Sequence, residues 1–156
     1  MEILIPGLIL VALMVWASTK IKKKAAAAYE EETIETERFS IEKADGFISP
    51  TFPEEGMVFA AYSKEFGRDR TRDLRQAQLE VSLRRGARLE QLARQFEIDS
   101  SNGVVEVPAP SGDLAEFVRL AASSEGVYEL RGRVLLDHRQ EFARKLKEMM
   151  ASFNPK

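Results

Sequence analysis

The sequence predicts an α+β protein that begins with a membrane-spanning helix. Three observations carry this prediction. Residues 3–19 form an apolar run without charge, residues 77–84 alternate between apolar and polar side chains, and the apolar residues of 138–153 recur at helical spacing. The full prediction is a single N-terminal transmembrane helix and helical stalk, followed by a small mixed or antiparallel sheet packed with about four helices. Its segments are an anchor with a basic flank (1–24), a stalk (25–37) and a cytoplasmic domain (38–156).

The anchor is predicted from the apolar run and the lysines that follow it at once: Lys20, Lys22, Lys23 and Lys24. Seventeen apolar residues give about 25 Å of helix, near the lower limit for a bilayer core of about 30 Å. Because flanking lysines stay on the cytoplasmic side, we expect a single-pass cell-membrane protein with its N-terminus outside. A secretory signal has the reverse charge order. A translocated domain and a buried helix are the alternatives.

The stalk and the first strand are predicted from a change of composition near residue 38. Residues 20–37 are rich in Lys, Ala and Glu and contain no Gly or Pro, so a helix should continue from the anchor through the stalk. Phe39 and Ile41 then alternate with polar residues, which predicts a strand. Gly46, Pro50 and Pro53 indicate a loop.

A helix is predicted to follow this loop, because Thr51 and Glu54 have the spacing of a capping box. It should run to about Phe66. Three apolar residues beside its start form either an exposed docking loop or a segment packed on the core: Phe47, Ile48 and Phe52.

The strand over residues 77–84 has one polar face, which favours an antiparallel or mixed sheet. Apolar spacing predicts a helix over 89–96, and the valines predict a strand over 104–107. Asp113 and Glu116 can cap a further helix reaching residue 121. Residues 127–136 are predicted as one bent strand or a hairpin around Gly132.

The closing helix of residues 138–153 should pack across the sheet.

Charge is unevenly distributed along the chain. Residues 25–156 carry 19 basic and 24 acidic side chains, a net charge of −5, which argues against general nucleic-acid binding. Residues 29–58 are acidic, whereas residues 68–94 contain eight arginines. Six arginines are candidates for binding a partner or an anion: Arg68, Arg70, Arg72, Arg84, Arg85 and Arg88. The alternative is that they form only a solvated face.

No catalytic, cofactor-binding or metal-binding residues are predicted. The sequence lacks a phosphate-binding Gly-rich loop, a zinc helix and a nucleophile elbow, and it contains no cysteine. Asp137 and His138 are adjacent, but neighbouring helical residues do not face each other. His138 is therefore expected in the core or at its rim.

Two functions from different classes are compatible with this pattern. We expect a non-enzymatic, membrane-tethered adaptor or accessory subunit of an inner-membrane or cytoplasmic-face assembly, with membrane lipid and a membrane-protein complex as partners. The alternative is an enzyme of unfamiliar type that binds a phosphorylated or acidic substrate through Arg84, Arg85 and Arg88. A pocket joining these three arginines to a carboxylate would favour the enzyme.

Overall fold

A computed structural model of the chain describes residues 4–99 and 103–156. Its three α-helices and nine strands follow in chain order: α1 Leu4–Ala27, β1 Glu32–Glu35, β2 Phe39–Lys43, β3 Phe47–Ile48, β4 Phe59–Ser63, β5 Ala77–Arg85, α2 Leu89–Gln95, β6 Val105–Val107, β7 Leu114–Ser123, β8 Gly126–Leu135, α3 Arg139–Ser152 and β9 Asn154–Pro155.

The strands form two antiparallel sheets, which confirms the antiparallel form of the predicted α+β fold. The larger sheet has the order β3-β4-β5-β8-β7-β6, and the smaller has the order β1-β2-β9. β5 confirms the strand predicted over 77–84. It pairs with β8 along its whole length, from Ala77 opposite Val134 to Arg85 opposite Gly126.

The main core lies between one face of the larger sheet, α3 and the smaller sheet. Helix α3 confirms the predicted closing helix and buries Leu146, Met149 and Met150. In this core the ring of Phe39 has its centroid 5.2 to 6.3 Å from those of Phe59, Tyr128 and Phe153, and the last two are 5.0 Å apart. The apolar stripe of α3 is thus covered by the sheet, as its spacing predicts.

The opposite face of the larger sheet is only partly covered. Helix α2 buries Ala93 against Val118, Leu120 and Val127. The rest of this face, over β5 and the second half of β8, carries polar side chains.

Two of the four or so helices predicted to pack with the sheet are wrong, so the described residues of the domain contain only α2 and α3, in addition to the N-terminal α1. Residues 114–121 of the helix predicted from Asp113 belong to strand β7, and residues 59–63 of the helix predicted from Thr51 form β4. β7 is buried on both faces, so it lacks the alternation that identifies a half-exposed strand. Without that alternation, the sequence of β7 does not separate a buried strand from a buried helix.

The helical stalk predicted over 25–37 is also wrong beyond Ala27. α1 ends there, and residues 32–35 pair with β2, with Glu32 opposite Lys43 and Glu35 opposite Ser40. Pairing in the sheet overrides the weak helical preference of this polar segment.

Residues 126–135 form one strand, and the hairpin turn lies before it, where Ser123 pairs with Gly126. Gly132 lies within β8, where it allows close packing and does not form a turn. A Cβ at this position would lie 2.8 Å from the Sδ of Met150 and 2.9 Å from Leu146, so glycine allows α3 to approach the sheet.

Helix α1 is long and apolar enough to cross a membrane, a property that membrane spans share with signal sequences. Its apolar segment Ile5–Ala27 has a mean hydropathy of 1.5, and none of it is buried against the domain. The start of the predicted run at residue 3 lies outside the described residues. The Nζ of Lys20 stands 4.5 Å from the ring centroid of Trp16.

Candidate functional site

The polar face of the larger sheet carries a chain of alternating charges on β5, β8 and β7. We call it the charge ladder: Arg84, Glu129, Arg131, Glu116 and Arg133. Its consecutive N–O distances are 2.9 Å from Arg84 to Glu129, 2.6 Å from Glu129 to Arg131, 3.5 Å from Arg131 to Glu116, and 3.0 Å from Glu116 to Arg133.

The ladder is built by the two-residue period of β8. Glu129, Arg131 and Arg133 occupy alternate positions and therefore share one face of the sheet. Glu116 reaches them from β7, where it lies opposite Arg133, and Arg84 reaches Glu129 from β5.

Both carboxylates of the ladder are buried, and the arginines lie over them. Glu129 and Glu116 are each 4% exposed. Each arginine donates its Nε–H to one of these carboxylates. Since a guanidinium has five N–H donors, terminal NH groups of Arg84 and Arg133 remain for an external acceptor. The arrangement can therefore hold a carboxylate or phosphate in a forked contact.

Three adjoining hollows meet at Arg131, and we call them together the ladder cleft. Their volumes are about 360, 270 and 390 Å³. Phe96, at the end of α2, lines two of the hollows, and its ring centroid is 5.0 Å from the Arg131 guanidinium. The cleft thus combines an apolar wall with a charged floor.

The structure brings together only some of the predicted arginines. Arg84 and Arg85 line the 390 Å³ hollow together with Glu129. Arg88 instead borders a larger hollow of about 790 Å³, whose lining consists of exposed polar side chains of the α2 segment. Arg68, Arg70 and Arg72 lie in the loop between β4 and β5, so they take no part in the ladder cleft.

The predicted docking residues occupy three different environments. Phe47 is fully buried in the core, with its ring centroid 5.7 Å from that of Phe142. Ile48 is partly buried in β3, and Phe52 is 90% exposed. Only Phe52 is therefore available for a contact outside the domain.

His138 lies at the edge of the core, beside α3. Its Nδ1 is 3.7 Å from a carboxylate oxygen of Glu141, and its ring centroid is 6.5 Å from that of Phe142. It does not line the ladder cleft. Among residues 4–99 and 103–156, no group of three His, Asp or Glu side chains is placed to hold a metal ion.

Lys43 is a structural residue that the sequence did not reveal. Its side chain is 1% exposed, and its Nζ donates hydrogen bonds to the carbonyl oxygens of Ala28, Glu30 and Phe47. Burial lowers the pKa of Lys43, and the carboxylates of Glu32, Asp45 and Glu30 oppose that shift. Its only sequence signal is the five-residue alternation of β2, which places Phe39, Ile41 and Lys43 on one face.

Comparison with known proteins supports only the fold of this chain. No family model matches the chain, and no curated protein matches it. A solved structure from Bacteroides thetaiotaomicron VPI-5482 is similar, with a TM-score of 0.50 and 13% sequence identity. The similarity covers 76% of this chain and 45% of the other, so the chain spans less than half of the solved structure. At this identity the likeness supports the α+β fold alone.

Proposed function

We propose that this protein is a non-enzymatic, membrane-anchored adaptor or accessory subunit. Helix α1 anchors it in the cell membrane, and the α+β domain lies on the cytoplasmic side. The ladder cleft binds an acidic segment of a partner protein in the same membrane assembly. Tethering concentrates the domain at the membrane and so favours a partner located there.

The observation that carries the binding role is the use of Nε by all three ladder arginines. Because buried glutamates fix the arginines through Nε, their positions are set before a ligand arrives. Phe96 and Pro108 supply apolar surface beside them, which suits a peptide more than a small ion.

The orientation is supported by the four lysines that follow the apolar run, since positively charged flanks stay in the cytoplasm. Trp16 lies one helical turn before Lys20, as expected for a residue at the membrane–water interface. Because the chain has no cysteine, a single Ser124→Cys substitution permits labelling with an impermeant maleimide. Labelling only after the cells are permeabilised is the expected result.

The geometry gives less support to the enzymatic alternative. Both carboxylate oxygens of Glu129 are bonded to arginines, so this group is not free to carry a proton. Arg88 lies outside the hollow that Arg84 and Arg85 line.

The test is co-purification from membranes in mild detergent with a paired set of variants. Arg84→Gln combined with Arg133→Gln removes two guanidinium groups but leaves the ion pairs of Arg131 with Glu116 and Glu129, so the fold should survive. Arg88→Gln combined with Arg94→Gln is the control, because it removes the same charge from residues that do not line the ladder cleft. We expect a stoichiometric partner on the parent and the control, and its loss from the ladder variant. A parent chain that purifies alone, or a partner retained by the ladder variant, contradicts the proposal.

A further inference from the structure

We infer a second interaction surface: the end of the domain nearest α1 lies against the bilayer and binds anionic lipid headgroups. We call this end the basal face and define it by six exposed residues: Phe66, Arg68, Arg70, Arg72, Leu74 and Leu136. The inference rests on the proposed membrane anchor and adds to it a contact between the domain and the lipid surface.

The connection between α1 and the domain is short and held by hydrogen bonds. Only four residues separate Ala27 from Glu32. The Tyr29 carbonyl accepts from the Gly46 amide at 2.7 Å, while the carbonyls of Ala28 and Glu30 accept from Lys43. Lys20 is about 10 Å above Ala27 along the helix, a little more than the thickness of one headgroup layer. The domain therefore begins at the outer edge of the headgroups.

Strand pairing places the loop between β4 and β5 at this same end of the sheet. The Lys43 Nζ lies 2.8 Å from the Phe47 carbonyl, and Phe47 pairs with Ser63, the last residue of β4. The loop leaves the sheet at that point. Hydrogen bonds from Leu135 to Gln76 and from Leu136 to Asp113 add the end of β8 to the same surface.

The loop is fixed by its own contacts. Arg75 donates to the carbonyls of Ser63 and Lys64, and its guanidinium stands 4.1 Å from the ring centroid of Phe66. The Gly67 amide donates to the Leu74 carbonyl at 2.7 Å. The basal face is therefore a formed surface.

Its composition matches an anionic bilayer surface. Phe66, Leu74 and Leu136 are 48%, 39% and 45% exposed. Residues 64–75 carry five basic and three acidic side chains, a net charge of +2. Among the described residues, Arg68 and Arg72 have no ion-pair partner. Arg70 forms only an exposed ion pair with Asp113, with an N–O distance of 3.7 Å. Exposed apolar side chains with arginines beside them are typical of surfaces that contact headgroups.

The experiment measures the depth of single labels on the full chain in nanodiscs. A fluorophore is placed on Leu74→Cys at the basal face or on Ser124→Cys in the hairpin turn at the opposite end. The discs contain a headgroup quencher in phosphatidylcholine, with or without phosphatidylglycerol. We expect quenching at residue 74 with the anionic lipid, and none at residue 124.

Charge reversal then separates the basal face from general electrostatic attraction. Each basic residue near an anionic surface strengthens adsorption roughly fivefold, so Arg68→Glu, Arg70→Glu and Arg72→Glu together should lower the docked-to-undocked ratio by on the order of a hundredfold. Arg85→Glu, Arg88→Glu and Arg94→Glu make the same change of charge away from this end and should leave quenching almost intact.

Two results would overturn the inference. The first is a chain that inserts into the discs but shows equal quenching at residues 74 and 124. The second is an equal loss of quenching in both triple variants. A chain that fails to insert at all refutes the membrane anchor itself, and that outcome is recognised separately by flotation of the unlabelled protein with vesicles.

Discussion

Lys43 shows how a single buried side chain can join two parts of a chain. Its ammonium satisfies three carbonyl oxygens, two of them in the segment that leaves α1. Lys43→Met keeps the apolar stem but leaves these oxygens without their donor, so we expect a loss of about 2–3 kcal/mol in the free energy of unfolding. Denaturant unfolding in mild detergent, followed by circular dichroism, measures it. Lys145→Met, which removes only the exposed contact with Asp45, should cost below about 0.5 kcal/mol.

The burial of Lys43 also predicts the sign of a pH effect. Its pKa is lowered in the folded state from an ordinary value of 10.5, so between the two values the unfolded chain binds more protons. Stability from this group therefore rises with pH across that window and is constant below it. The difference in unfolding free energy between the parent and Lys43→Met should increase as the pH approaches 10.5. A difference that falls over this range would contradict a lowered pKa of Lys43 in the folded state.

Arg119 has a comparable role at the C-terminal end of α3. It projects from β7 into the core, and its Nη1 donates to the carbonyls of Met150, Ala151 and Phe153 at 2.6, 3.2 and 2.8 Å. These oxygens belong to the last turn of the helix and the residue after it, where carbonyl groups have no helical donor. Arg119→Met should lower the unfolding free energy by about 2–3 kcal/mol. The exposed Arg144→Met is the control, expected to stay within about 0.5 kcal/mol in the same unfolding assay.

At the scale of elements, the sequence predicts β5 and α3, which each have one exposed face, and fails on β7, which is buried on both. β5 and α3 each show a clear period because one side meets water. β7 has covering layers on both sides, and this cover comes from α2, α3 and the small sheet, which lie far away in sequence. The local sequence of β7 therefore contains no pattern that predicts its burial on both faces.

Of the five residues of the charge ladder, only Arg84 is among the arginines that the sequence selects as candidates for binding. Arg84 stands in an arginine-rich stretch, so composition was enough to select it. Glu116, Glu129 and Arg133 are ordinary charged residues until the registers of β7 and β8 place them side by side. The sequence also allows a hairpin around Gly132, and a turn there would interrupt the alternation of Glu129, Arg131 and Arg133.

The approach of α3 to the sheet depends on the absence of a side chain at residue 132. Gly132→Val would bring its Cβ within 3 Å of Leu146 and Met150, so either the helix or these side chains must move. We expect a loss of about 1–3 kcal/mol in unfolding free energy, or more if α3 separates from the sheet. Gly112→Val is the matched control, since a Cβ there meets no atom within 4 Å. Equal effects of the two substitutions in denaturant unfolding would contradict this account.

For the whole molecule, the absence of the predicted helical stalk shortens the distance between α1 and the domain. A helix through residue 37 would have added about 15 Å between Ala27 and the domain. Instead the chain enters β1 after four residues, and the sheet begins where the helix ends. The sequence could not show this, because residues 32–35 become a strand only by pairing with β2. In the proposed orientation, the same pairing places the basal face towards the bilayer and the opposite end of the sheet towards the cytoplasm.

This organisation predicts how the domain should respond when the connection is lengthened. Ten Gly and Ser residues inserted between Ala27 and Ala28 have an r.m.s. length of roughly 17 Å and leave the Lys43 contacts of the domain intact. We expect unchanged unfolding but a new dependence on salt. In the parent, the fixed connection holds the domain near the bilayer at any ionic strength. In the insertion variant only the basal face does so, and its attraction is screened within about 3 Å at 1 M salt. Energy transfer from a donor on Ser124→Cys to acceptor lipids should therefore change with salt in the insertion variant alone. Salt dependence of the same size in both proteins would mean that the short segment does not hold the domain.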